Sequence, residues 1–202
     1  ALDGAADVDL ATGSVTLDTS AGNGVVTFAT AGNVDGAQDL TITAGSGAVN
    51  LSAIGAGTAV GAFDLDSTGT TTVNGNISAG SIAMDGATDV DLATGAITLS
   101  TSAANGAITL TGGAVDGAQD LTITAGSGAV SLDGMGQSTP VGALDVDTTG
   151  ALTFNDGVAA SSIALDGAAD VDLATGSVTL DTSAGNGVVT FATAGNVDGA
   201  QD

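Results

Sequence analysis

Short apolar pairs separated by one residue run the length of the chain: Val8 and Leu10, Val15 and Leu17, Val26 and Phe28, Leu40 and Ile42, Val49 and Leu51, Phe63 and Leu65, Ile82 and Met84. Alternation at period two places the members of each pair on the same side of an extended strand, so each pair predicts a short strand with one buried face. The spacers are rich in Gly, Asn, Ser and Asp, which turn the chain either by tolerating positive φ or by bonding their own backbone. No stretch carries a helical period. The pattern predicts an all-β fold.

The pattern also repeats. The first 39 residues return without a mismatch as residues 164–202, and a close copy of the opening phrase begins at Ala83. "VDGAQDLTITAGSGAVNL" from Val34 recurs as "VDGAQDLTITAGSGAVSL" from Val115, one residue having been lost near Thr30. The chain therefore divides into unit one at 1–82, unit two at 83–163 and a partial unit three at 164–202, and reads as a window on a longer array.

Taking every second pair gives one column of inward residues: Leu10, Phe28, Leu51, Val73, Leu92, Leu110, Leu132, Phe154 and Leu173. The interleaved column is Leu17, Ile42, Leu65, Met84, Leu99, Ile123, Val146, Leu165 and Leu180. Columns that advance once per about twenty residues predict a parallel β-solenoid with coils stacked about 4.8 Å apart, four coils to a unit. A competing register follows the Gly-Ala steps at Gly4, Gly36, Gly61 and Gly86 and would give three longer coils per unit. Four coils fill both columns with apolar residues and leave only Thr71 misplaced among their strand partners.

Composition narrows the function. Of 202 residues none is Lys, Arg, His, Cys, Trp or Tyr, and all 23 acidic residues are Asp, for a net charge of −23. Hydrophobic residues make up 43% and the mean hydropathy is +0.43, which separates the chain from charged disordered tails. Without a basic residue it has no attraction for nucleic-acid phosphate or anionic membranes, and it shows no membrane span or signal peptide. Cations are the partners that the charge calls for, and the missing cysteines remove thiol chemistry.

The same inventory argues against catalysis. Paired carboxylates can hydrolyse glycosides, but that reaction needs a pocket that raises one pKa and side chains that hold sugar. Ser and Thr are abundant, yet no His or Lys exists to take their proton. The candidate ligands are the Asp pairs Asp7/Asp9, Asp64/Asp66, Asp89/Asp91, Asp145/Asp147 and Asp170/Asp172. Two residues apart on a strand, their oxygens share a face about 7 Å apart, and calcium is the cofactor that such oxygens would take. The plain alternative is a solvated outer face. In the four-coil register Asp follows Asp only every fourth coil, which favours diffuse screening over a calcium ladder. Outward Thr41/Thr43 and Thr122/Thr124 raise a flat glycan- or ice-binding face, which β-propensity alone also explains.

The phrases "VDGAQDLTITAGSGAVNL", "TPVGALDVDTTGALTF" and "AASSIAL" resemble the glycine- and threonine-rich strand repeats of very large secreted bacterial surface proteins, the filamentous-haemagglutinin-like adhesins and their relatives. The resemblance spans essentially the whole chain. It implies a right-handed β-helix, export to the cell surface and a role in surface fibres or adhesion. The absence of Lys and Arg and the near-verbatim copying depart from that pattern and point to a uniform shaft. The expected function is the stiff, non-catalytic shaft of an extracellular filament that associates with copies of itself end to end or side by side. The alternative is the repeat region of an adhesin or of a calcium-dependent binding module.

Overall fold

The computed structural model describes residues 7–28, 32–174, 176–192 and 195–199. It is a β-solenoid: among the described residues the strands that pair do so in parallel, each with residues of the previous or next turn. No helix among them is long and apolar enough to cross a membrane.

The strands form three faces. Along the first, Val8, Val34, Ile54, Ile77, Leu99, Ile123, Val146, Leu165 and Phe191 lie one above another, which makes eight turns. The second stacks Val15, Leu40, Phe63, Ile82, Ile108, Val130, Leu152, Val171 and Val197. The third stacks Val26, Val49, Thr71, Val90, Val115, Met135, Val158 and Leu180. These columns meet in one continuous core of Val, Leu, Ile, Ala, Met and Phe.

The three faces confirm the fold class and correct its arithmetic. Leu110 was expected above Leu92, but the structure puts the Ile108–Leu110 strand on Ile82 and Ala83, and Met84 N donates to Thr109 O. From Val8 on the first face, eleven apolar steps lead to its counterpart Val90 on the third, and Val171 lies on the second. A unit is thus three and two-thirds turns, not four coils of about 20 residues, and the two sequence columns are threads crossing three faces. The difference arises at Val34, Ile54, Ile77, Val115, Met135 and Val158. Several of these sit singly between turn residues, so a search for apolar pairs passes over them.

What a covering coil contributes can be read from identical sequences. Phe28 and Val34 lie beneath the coil of residues 49–54 and are 1% and 0% exposed, whereas their copies Phe191 and Val197 are 41% and 48% exposed. Burying side chains of this kind contributes about 1.5–3 kcal/mol each. The stack is therefore held mainly by the coil above and the coil below.

One position of the three columns breaks the apolar rule. Thr71 is fully buried between Val49 and Val90, and its hydroxyl has no hydrogen-bond partner. The corresponding residue of unit two is Leu152, also buried. Thr71→Val keeps the shape and removes the orphaned hydroxyl, so it is expected to stabilise the chain by about 1–2 kcal/mol, measured by denaturant unfolding.

Corners are rebuilt in each unit. A 3-10 turn at Ser20–Gly22 is followed by Asn23 at φ 49°, and Asn105 and Asn186 repeat the left-handed corner. The asparagine alone takes positive φ. The following glycine is required for closeness, because a side chain on Gly106 would overlap the carbonyl of Gly80 in the coil below.

Candidate functional site

The paired aspartates all lie on strand segments, alternating with inward apolar residues. Asp7 and Asp9 sit beneath Asn33 and Asp35, and Asp89 and Asp91 beneath Ala114 and Asp116. Asp145 and Asp147 lie between Thr122 and Thr124 below and Ala164 and Asp166 above. Asp64 and Asp66 stand over Thr41 and Thr43, with Ala83 above Asp64. Asp170 and Asp172 lie beneath Asn196 and Asp198. The expectation that Asp follows Asp only every fourth coil is overturned: Asp9 meets Asp35, Asp91 meets Asp116, Asp147 meets Asp166 and Asp172 meets Asp198 on adjacent coils. The coil count caused the error, since it placed the "VDGAQD" phrase in the wrong register.

Burial first, and crowding of like charge after it, show in the acidities of three aspartates. Burial raises the carboxyl of Asp64 above its ordinary value of 3.8, with repulsion from Asp85 and Asp66 adding to it. Asp145 is raised in the same way by burial, Asp166 and Asp147. Asp89 is raised by burial, Asp91 and Asp116, against a weaker opposing hydrogen bond from Thr70. Asp18 and Asp181 are lowered instead by the hydroxyl and backbone N–H of Ser20 and of Ser183, and Asp39 by the N–H of Ala62 and the hydroxyl of Ser14.

These directions set the pH dependence. Where the folded pKa is raised, the folded chain takes up protons before the unfolded one, so stability grows as pH falls from neutral through the raised values to 3.8. Where it is lowered, the contribution is held above 3.8 and lost as pH falls through the folded value. Thermal melts are expected to show a melting temperature that climbs from pH 7 toward 3.8 and declines below it.

Among the described residues no three His, Cys, Asp or Glu side chains converge where one metal ion could be held. A groove of about 380 Å³ crosses the outer surface of unit two beside Gly113, Asp133, Gln137, Asn155 and Asp156. Its amides are engaged in the wall: Gln137 Nε2 donates to Gly157 O at 2.7 Å, and Asn155 Nδ2 to Ser131 Oγ and Leu132 O.

A second set of polar side chains, whose bonding from coil to coil the sequence does not reveal, ties one coil to the next. Asp35 Oδ1 accepts from Gly57 N at 2.8 Å and Thr58 N at 3.0 Å, and Asp116 Oδ1 accepts likewise from Ser138 N and Thr139 N. Asp39 and Asp120 accept from Ala62 N and Ala143 N. Asn23 and Asn105 accept from Ser46 N and Ser127 N, both at 2.9 Å. Apart from those of Ala62 and Ala143, which lie in strands, these donors are corner N–H groups outside the strand ladders. The signal was present in "VDGAQD", whose two aspartates serve this purpose in both complete units. A comparison with protein-family models, curated proteins and solved structures gives no match.

Proposed function

We propose that this chain is the stiff shaft of an extracellular surface filament, a structural element without catalytic chemistry. The observation that carries the reading is the contrast between inside and outside. Inside, three columns run through the described coils, apolar at every position but Thr71. Outside, one position of the first face reads Thr98, Thr122, Asp145, Ala164, Thr190 from coil to coil, so no flat array of one residue type is displayed. A glycan- or ice-binding face would repeat its ligand groups on every coil. Absence of Lys and Arg removes every trypsin site, which suits an exposed fibre.

Such rods would associate with copies of themselves end to end through the coil-on-coil contact, or side by side once divalent cations screen the charge of −23. Electron microscopy of the purified chain tests the reading. Straight rods or filaments of uniform width with an axial repeat of about 4.8 Å support it. Flexible or compact particles of irregular outline would refute it. Calcium acts here by screening stacked aspartates such as Asp147 and Asp166, so millimolar calcium is expected to raise the melting temperature, and an unchanged melt in EDTA would remove calcium from the account.

A further inference from the structure

The upper surface of unit three is a seat that the chain fills twice within itself. In unit one, residues 40–54 cover residues 15–34: Leu40 and Ile42 stand over Val15 and Leu17, Val49 over Val26 and Ile54 over Val34. In unit two, residues 121–135 do the same, with Leu121 over Ile97, Val130 over Ile108 and Met135 over Val115. Residues 178–197 are a verbatim copy of 15–34. Their strands Leu180–Asp181, Val189–Ala192 and Asn196–Asp198 pair with the coil below and with none above among the described residues, and Phe191 and Val197 are exposed. The polar half of the seat is present as well. Asn186 and Asp198 are the copies of Asn23, which accepts from Ser46 N, and of Asp35, which accepts from Gly57 N and Thr58 N.

We propose that residues 40–54 of a second copy of the chain fill this seat, leaving their own seat at residues 15–34 to do so. The inference rests on the filament reading above and specifies its junction. Two intact chains do not fit end to end, because the lower side of Val8, Leu17 and Phe28 matches Leu152, Val158 and Leu165, which their copies Val171, Leu180 and Phe191 already cover. Exchange trades one seat for an identical one, so no coil-on-coil contact is lost, the condition under which swapping between copies is cheapest. Two differences favour it. The strands that are let go, Asp7–Asp9, Val15–Asp18 and Val26–Thr27, have a partner above and none below among the described residues, whereas the unit-three copy rests on a full stack. Val8 is accordingly half-buried and its copy Val171 fully buried. The released residues also regain the conformational freedom that folding took from them. Joining two molecules opposes these gains, so the exchange rises with concentration. Each added copy then lengthens the rod by two whole units, about 35 Å at about 4.8 Å per coil.

Cysteine variants of the full chain, which has no native cysteine, test the junction. Thr16 and Thr41 are partners on adjacent coils of unit one, and Thr179 is the copy of Thr16. When Thr41→Cys and Thr179→Cys chains are mixed and oxidised, mixed dimers should predominate over dimers of either variant alone. An equal yield from Thr41→Cys mixed with Thr98→Cys, whose partner Thr122 already covers it, would overturn the proposal. A chain carrying both Thr16→Cys and Thr41→Cys, closed by its own disulfide, cannot vacate its seat. It should sediment as a monomer at concentrations where its reduced form and the unaltered chain assemble. Hydrogen exchange in the assembly should quicken over residues 15–28 and slow over residues 189–197. Assembly of the oxidised chain, or no assembly of the unaltered one, would refute the exchange. Neither result touches the shaft reading, which is decided by the outline of single rods in the micrographs.

Discussion

Replacing Phe154 by Ala destabilises the solenoid by about 3–5 kcal/mol, the range for removing a fully buried aromatic ring. Phe154 has no exposed surface and is stacked between Leu132 below and Leu173 above. Both neighbours belong to strands fixed by backbone ladders, so they cannot close over the void. Because each coil depends on its immediate neighbours, the loss is local: hydrogen exchange should quicken across residues 130–173, while the coils around Leu51 stay protected. Phe154→Val serves as the control. Unit one carries Val73 at this position, so the valine variant should lose distinctly less than the alanine variant.

Asp116→Ala is expected to cost about 2–4 kcal/mol, although it removes a charge from a chain that has only negative ones. Two effects oppose each other. Asp116 lies directly above Asp91, and relieving a like-charge pair across strands contributes about 0.2–1 kcal/mol. Against this, its buried carboxylate accepts from Ser138 N and Thr139 N, and both donors would be left without their partner. Hydrogen bonds to a charged acceptor contribute about 1.5–3 kcal/mol, so the corner bonds outweigh the repulsion. Asp116→Asn keeps a carbonyl acceptor and removes the charge, and should recover at least half of the loss in urea titrations. A rise in stability for Asp116→Ala would show that this carboxylate is merely crowded.

The sequence made the solenoid legible because each strand wrote its period-two pattern plainly and each unit was copied almost verbatim. It did not make the number of faces legible. Ile54 and Met135 enter their ladders as single bridged residues between turns, and a lone apolar residue beside Gly looks the same whether it fills a column or a loop. Losing those steps shortened the count and moved Leu110 from Met84 to Leu92. The aspartates suffered from the same loss. Asp64, Asp89 and Asp145 were correctly read as outward, but which carboxylate lies above which depends on the register. The role of Asp35 and Asp116 was hidden for another reason: their acceptors serve N–H groups 22 and 23 residues further on, a relation that composition and local spacing do not express.

The stacking register underlies the whole account, and disulfide trapping tests it most directly. Ala83 and Thr109 are neighbours on adjacent coils, with strand spacing that falls within the reach of a disulfide, about 4.4–6.8 Å between Cα atoms. A chain carrying Ala83→Cys and Thr109→Cys should therefore oxidise readily to an intramolecular disulfide while keeping its β-sheet spectrum. A chain carrying Asp91→Cys and Thr109→Cys, neighbours only if a unit were four coils, should remain reduced. If the second pair closes and the first does not, the three-faced solenoid with eleven steps per unit is wrong.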